Sequence, residues 1–298
     1  MVRRPALSPG SHLTRHDARR LRIGSHPGVV IDDSPLLRAL VAAIDGVRDA
    51  ELACAAAAEA TEQDPAVARE LLDELIRRGA VVDAEPWLRV RAPRDEVVAA
   101  VLAGRDPGPM SGRARTGLSV HAAPTCHDLS DLIELGARIG GVSSRPHRTP
   151  RIHVAVSVGE PHRDTVEDLA AAGAPVLPVA LAEGRCVIGP WIERGRTPCL
   201  RCADLARSTW DHSWAGHWPS LDRPDRPHGV GAEVAQLAAM LVVADVLAAC
   251  DGRRPRTVGA RLTTGPAPGS AAAAPVPFDP GCPCHVLTVL PPEATAVS

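Results

Sequence analysis

Two close pairs of cysteines, Cys199-x-x-Cys202 and Cys282-x-Cys284, stand about eighty residues apart in a chain of 298 residues. If both pairs hold one ion, everything between them is a closed loop and the end of the chain must return to the residues that follow Ile188. Four thiolates suit tetrahedral zinc, and two close pairs from distant parts of a chain make a closed structural site with no vacant position for water. The competing readings are a redox C-x-x-C at 199–202 and four unconnected thiols; a redox pair has no need of the second pair. His285 is a substitute for one thiol. The other four cysteines, Cys54, Cys126, Cys186 and Cys250, lie among apolar residues and read as inert packing groups.

Partners are narrowed by charge and composition. Formal net charge is -2, and the basic residues are spread along the chain, which leaves no footprint for nucleic acid or anionic lipid. With one Phe, five Trp and no Tyr, the core must be aliphatic. All 33 basic residues are arginine, so no lysine is present to serve catalysis. Residues 1–22 lack an apolar signal core, and the longest apolar stretch, Val234 to Ala249, reads as too short and too polar to span a bilayer. These features lead to the expectation of a soluble, cytoplasmic protein in which cysteine pairs bind metal and not each other.

The pattern divides the chain into a small unit at 1–90, a linker at 91–109 that is rich in Pro, Gly and Arg apart from a short helix near Glu96 to Leu102, and a larger unit at 110–298. In the first, short strands near Leu21–Ile23 and Val29–Ile31 precede three helices. Ser34 caps the first, with Pro35 at its first position and Leu36, Leu37, Leu40 and Val41 at helical spacing. Asp64-Pro65 opens the third, which carries Val67, Leu71, Leu72, Leu75 and Ile76 on one face until Gly79. Val81-Val82 is expected to return as a wing strand, which makes the unit winged-helix-like α+β. The second unit alternates strand and helix, the pattern of a mostly parallel, wound α/β sheet. A nearly all-apolar helix, Ala232 to Ala249, must be buried, and a tract from Thr264 to Pro277 reads as flexible.

The run from Val187 to Leu205, V-I-G-P-W-I-E-R-G-R-T-P-C-L-R-C-A-D-L, resembles the segment of ThiF-like proteins that introduces their first zinc pair, and the closing C-x-C fits as well. These proteins are relatives of the ubiquitin-activating enzymes. The resemblance covers roughly residues 110–290 and is most specific to the ThiF-like partners of cyclodehydratases that modify ribosomally made peptides. It implies ATP-dependent adenylation in active members, with a Gly-rich loop after the first strand. Here that connection is Ala123-Pro124-Thr125-Cys126-His127, which lacks glycine and includes a proline without an N–H donor. The resemblance therefore implies a retained fold without ATP. Gly136, Gly140 and Gly141 sit at the end of the next helix and read as its C-cap, and Asp128 reads as an N-cap. Asp211, His212, Trp214, His217 and Trp218 read as packing or interface residues.

The first unit is similar to the PqqD-like leader-peptide recognition domains of peptide-modifying systems, on its strands, its three helices and the run Leu71 to Gly79. That resemblance implies that a precursor's leader adds as a strand beside Val29, Val30 and Ile31 and against the helix bearing Arg69, Leu72 and Ile76. Arg69 is the candidate for pairing with an acidic leader residue. Together the resemblances imply a non-catalytic partner of a YcaO-type cyclodehydratase, with a second copy of the chain as a further candidate partner. The alternatives are a divergent adenylating enzyme and a winged-helix regulator. The third helix sets Arg69, Arg77 and Arg78 against Glu70, Asp73 and Glu74, a balance that disfavours DNA.

Overall fold

The computed structural model describes residues 2–25, 28–143, 151–214, 229–265 and 271–284. They form two compact units, Met1–Ser111 and Gly112–Ser298.

In the first unit, strands β1 (Pro5–Leu7), β2 (Leu13–Arg15), β3 (Arg20–Ile23) and β4 (Val29–Asp32) lead to helices α1 (Pro35–Ala43), α2 (Ala50–Glu59) and α3 (Pro65–Arg77). Each helix begins on a side-chain cap. Ser34 accepts from the Leu37 N–H at 3.1 Å, Asp49 from Leu52 and Asp64 from Ala66, both at 2.8 Å. Apolar residues at helical spacing then close one core, in which Leu37, Leu40, Ala53, Ala68, Leu72 and Leu75 are fully buried. Strands β2, β3 and β4 make an antiparallel sheet with β4 on its edge. Strand β5 (Val81–Asp83), read from sequence as a wing, pairs with β1. Helices α4 (Glu85–Leu88) and α5 (Arg94–Leu102) follow, the second where the sequence places a short helix, and the 91–109 stretch clusters with the first unit.

The second unit runs β6 (Gly117–Ala122), α6 (His127–Ile139), β7 (Arg151–Val158), α7 (Arg163–Ala171), β8 (Val176–Ala182), β9 (Arg185–Ile188), α8 (Leu200–Ser208), α9 (Ala232–Cys250), β10 (Ala260–Thr264) and β11 (Ala271–Pro275). Its six strands lie in the order β11-β10-β9-β8-β7-β6. Only β6–β7 and β7–β8 are parallel; the other three ladders are antiparallel. The sheet is thus mixed, not mostly parallel. Glu183-Gly184 is the reason: with φ of 51° and 73° the two residues form the tight turn that sends β9 straight back along β8. The tract read as flexible supplies β11, an edge strand exposed along its whole length.

Helices α6 and α9 pack closely because Gly136 and Gly140 carry no side chain: a Cβ at either would come within 2.9 Å of Val243 or 2.6 Å of Leu247. These glycines are therefore contact positions, and Gly141, at φ 86°, is the left-handed residue that ends the helix. Helix α9 is 19 residues long, enough by length and composition alone to cross a membrane, contrary to the sequence expectation. Its Val234, Ala238, Val242 and Val246 instead join the core of the sheet. Asp245, also buried on α9, accepts the N–H groups of Arg256 and Thr257 at 2.8 and 3.0 Å and holds the turn into β10. Beneath the helix ends lies an ion pair that the sequence did not announce: Arg113 meets Asp251 through two bonds of 2.7 Å and donates to the Gly140 carbonyl at 2.8 Å.

Candidate metal centre

The loop from Trp191 to Thr197 is closed by its own hydrogen bonds. Trp191, fully buried, donates its ring N–H to Glu193 at 2.9 Å; Thr197 Oγ1 donates to the Trp191 carbonyl and accepts from the Glu193 N–H, both at 2.7 Å. This places Cys199 just before α8 and Cys202 in its first turn. On the other side, Val276 bonds to Gly259 beside β10, and Asp279 accepts from Gly281 and Cys282 to make the turn that presents Cys282 and Cys284.

The four sulfur atoms meet. Cys199 and Cys282 are 3.6 Å apart, Cys202 and Cys284 3.4 Å, and all four lie within 4.8 Å of one another. A disulfide needs about 2.05 Å, so none is formed. Four sulfurs each at ~2.3 Å from a central zinc are about 3.8 Å apart at tetrahedral angles. The donor set and its spacing therefore fit a zinc site of four thiolates. Burial pushes the Cys199 thiol up to about 11 and raises that of Cys284, whereas backbone hydrogen bonds bring that of Cys202 down against its burial, so the cluster by itself favours a mixture of thiol and thiolate and a cation among the sulfurs favours the thiolates. His285, the alternative ligand, lies outside the described residues. Burial also raises Cys54, Cys126 and Cys250 and pushes Cys186 up to about 12, which suits inert packing thiols.

Helix α8 is tied to the loop after β7 by a charge network absent from the sequence reading. Arg163 takes both oxygens of Asp204, at 3.0 and 2.5 Å, and Glu160 at 3.3 Å. Arg207 lies 3.8 Å over the Trp214 ring, and Trp214 donates to Asp204 at 3.3 Å. Asp211 accepts from Arg207 at 3.4 Å, so the Asp211–Trp214 block braces the helix; His217 and Trp218 fall outside the described residues. Glu160 and Arg163 are an i, i+3 pair that the sequence holds, but no motif spacing links them to Asp204, 41 residues from Arg163.

At the carboxyl ends of the parallel strands a hollow of about 500 Å³ is lined by Val120, Ala122, Ala123, Val156, Ser157 and His162, among others, and by no arginine. The connection there is a 3-10 turn, Pro124–Cys126, closed by a bond from the Cys126 N–H to the Ala123 carbonyl.

The candidate peptide contacts separate into two places. Val29 and Ile31 pack against the first unit's core, with Val30 between them on edge strand β4. Leu72 is fully buried, so it is a core residue and offers a ligand no surface; Ile76 is half-buried against the same core. Arg69 pairs with Asp73 at 3.2 Å and lines a 320 Å³ hollow with Arg3, Arg4, Asp49 and Glu51, whose lining includes no β4 residue. The arginine that reaches β4 is Arg78, which donates to the Val30 carbonyl at 2.7 Å. Its place just after α3 was the only sequence hint of this.

No protein-family profile matches the chain, and no curated protein matches it in sequence. Solved structures do. A heterocyclase in complex with substrate and cofactor is 14% identical with a TM-score of 0.54, over 94% of this chain and 39% of that one. The heterocyclase TruD gives 13% and 0.56 over 95% and 43%. E. coli MccB gives 12% and 0.50 over 94% and 96%. The chain thus spans about two fifths of the length of the two heterocyclases. At these identities the likeness is one of fold: a mixed α/β architecture shared with heterocyclases and MccB, here with a cysteine cluster spaced to hold zinc.

Proposed function

We propose that the chain binds the leader of a ribosomally made precursor peptide through the edge of β4 and, as a non-catalytic partner, presents the rest to a YcaO-type cyclodehydratase. The first unit acts in this reading as a PqqD-like, winged-helix-type recognition domain, and the second as a ThiF-like scaffold that has lost adenylation. Likeness in fold to two heterocyclases supports the setting.

The observation that carries the reading is the state of that edge. The Asp33 N–H bonds to the Arg19 carbonyl, so by antiparallel alternation Val29 and Ile31 point their backbone groups at β3, while Val30 and Asp32 point theirs outward. Among the described residues only the Val30 carbonyl is engaged there, by Arg78. A peptide pairing with Val30 and Asp32 takes over that carbonyl and releases the guanidinium to a peptide carboxylate.

Calorimetry of the full chain against the short precursor encoded beside it is the test. Arg78→Glu is expected to weaken binding by the worth of a charged hydrogen bond, about 1.5–3 kcal/mol or roughly ten- to a hundredfold. Asp32→Pro, which removes an outward N–H and no ladder bond, is expected to weaken it too, whereas Asp32→Ala is not. If the wild-type chain ignores the leader, or if neither a precursor nor a cyclodehydratase is encoded nearby, the reading fails.

A second reading, ATP-dependent adenylation, is favoured by the hollow beyond β6 and β7, where open α/β sheets bind ligands. Against it stand the arginine-free lining and the glycine-free turn. Micromolar ATP binding with pyrophosphate exchange by the purified chain would establish it in place of the first.

A further inference from the structure

Arg261 is the second residue of β10, and its side chain, 17% exposed, reaches into the charge network around α8. Its Nε is buried and meets no hydrogen-bond acceptor among the described residues. Its ion-pair contact there, from Nη2 to Glu160, is 3.8 Å long, well beyond the reach of a charged hydrogen bond at about 2.7–2.9 Å. A guanidinium keeps its charge in a protein, so an unmet donor on it carries a full desolvation penalty. Burial, and then the neighbouring cations Arg163 and Arg207, pull the pKa of Arg261 down, while Glu160 and Asp204 hold it up.

The edge left unmet is the one that other arginines of this protein use for carboxylates. Arg113 binds Asp251 through Nε and Nη2, and Arg163 binds Asp204 through the same two atoms. Arg261 turns that edge toward Glu160 without closing on it. Arg207 is poorly served as well: its contacts are Asp211 at 3.4 Å and Glu160 at 3.5 Å, and its guanidinium lies 3.8 Å from the Trp214 ring centre and 5.8 Å from that of Trp210. Glu160 therefore faces three arginines and is held tightly by none, its shortest contact being 3.3 Å to Arg163. Beside them Trp210, 72% exposed, offers the aromatic surface that anchors interfaces together with arginine.

We infer that Arg261 and Arg207 bind the acidic side chain of a partner peptide, whose carboxylate takes the place that Glu160 holds loosely and whose neighbouring apolar residue lies on Trp210. A planar carboxylate matches the fork of Nε and Nη2 and supplies the acceptor that Nε lacks. The charge count selects a single negative charge. Asp204 offsets Arg163 and Asp211 offsets Arg207, so with Glu160 displaced one cation remains, which a carboxylate balances and a phosphate of nearly two charges overshoots. The site belongs to the second unit and the β4 edge to the first, so each can be tested without the other.

Titration of the full chain with acetyl-Gly-Glu-Leu-Gly-amide, followed by the indole N–H signals of its tryptophans in nuclear magnetic resonance, tests this. The wild-type chain is expected to bind with a dissociation constant of about 1 mM, the strength of two charged hydrogen bonds, and to bind the Gln counterpart of the peptide at least about tenfold more weakly at equal ionic strength. Glu160→Gln, which removes the competing charge and keeps the shape, is expected to tighten binding about tenfold. Arg261→Met is expected to abolish it with or without Glu160→Gln, and Trp210→Ala to weaken it about tenfold. Circular dichroism checks that each variant is folded, and the gain in Glu160→Gln stands apart from any damage done by Arg261→Met. Equal binding of the Glu and Gln peptides, a Glu160→Gln chain that binds no tighter, or an Arg261→Met chain that binds as wild type does overturns the inference. Tighter binding of inorganic phosphate, or of acetyl-Gly-Gly with a free carboxyl terminus, overturns the choice of an acidic side chain.

Discussion

Cys199→Ser or Cys282→Ser is expected to unfold the second unit at room temperature while the first unit retains its structure. The four sulfurs lie within 4.8 Å and join the start of α8 to a turn some eighty residues later. Because such a site does not exist in the unfolded chain, metal binding and folding share one free energy, about 10–16 kcal/mol for small zinc domains, against a typical domain stability of about 5–15 kcal/mol. Removing one ligand forfeits enough of the former to exhaust the latter. The first unit has its own core of Leu37, Leu40, Leu72 and Leu75, to which none of the four cysteines belongs. Metal analysis of chelator-washed protein should find one zinc per chain, and amide exchange should localise the loss in each variant to residues after Gly112. Less than half an equivalent of zinc in the wild-type chain, or a Cys282→Ser variant of unchanged stability, would remove the metal from this account. Acid should release the ion, since protons compete for thiolates and the Cys199 thiol, pushed up to about 11 without metal, takes one readily.

Arg113→Met is expected to cost about 3–5 kcal/mol, the usual penalty for stranding one member of a buried ion pair. The Arg113 side chain is 2% exposed and that of Asp251 5%, and their two bonds of 2.7 Å are joined by a third from Arg113 to Gly140. The substitution leaves Asp251 with Arg253, at 3.2 Å and half in solvent, as its remaining cation among the described residues, and leaves the Gly140 carbonyl without that donor. The double variant Arg113→Met/Asp251→Leu should recover most of the loss, because an apolar pair of similar volume carries no desolvation cost. Urea denaturation of the three proteins checks both statements. A single variant within about 1 kcal/mol of wild type, below the usual range for a broken buried pair, would show the pair to be incidental.

Local rules made much of the fold readable. Ser34-Pro35 and Asp64-Pro65 start helices where caps and fixed φ dictate, and the Leu spacing of α1 and α3 names the faces that are buried. The meeting of Cys199, Cys202, Cys282 and Cys284 was equally plain, since two thiol pairs at such short spacing have few other uses. Tertiary contact settled the rest. Glu183-Gly184 carries no strong hairpin signal, yet its two positive φ angles make the sheet mixed. Arg69 and Arg78 look alike on the helix pattern, and only the path of β4 brings Arg78, not Arg69, to its edge. Arg113 and Asp251 are 138 residues apart, and no periodicity links them. Gly136 reads as a helix stop until Val243 arrives against it. The helices, their inward faces and the four cysteines that cluster were legible in the order of residues alone, because they follow from caps, spacing and ligand chemistry within a few positions. Which arginine meets which carboxylate and which strand edge stays open emerged only in three dimensions, because each depends on segments far apart in the chain arriving at the same place.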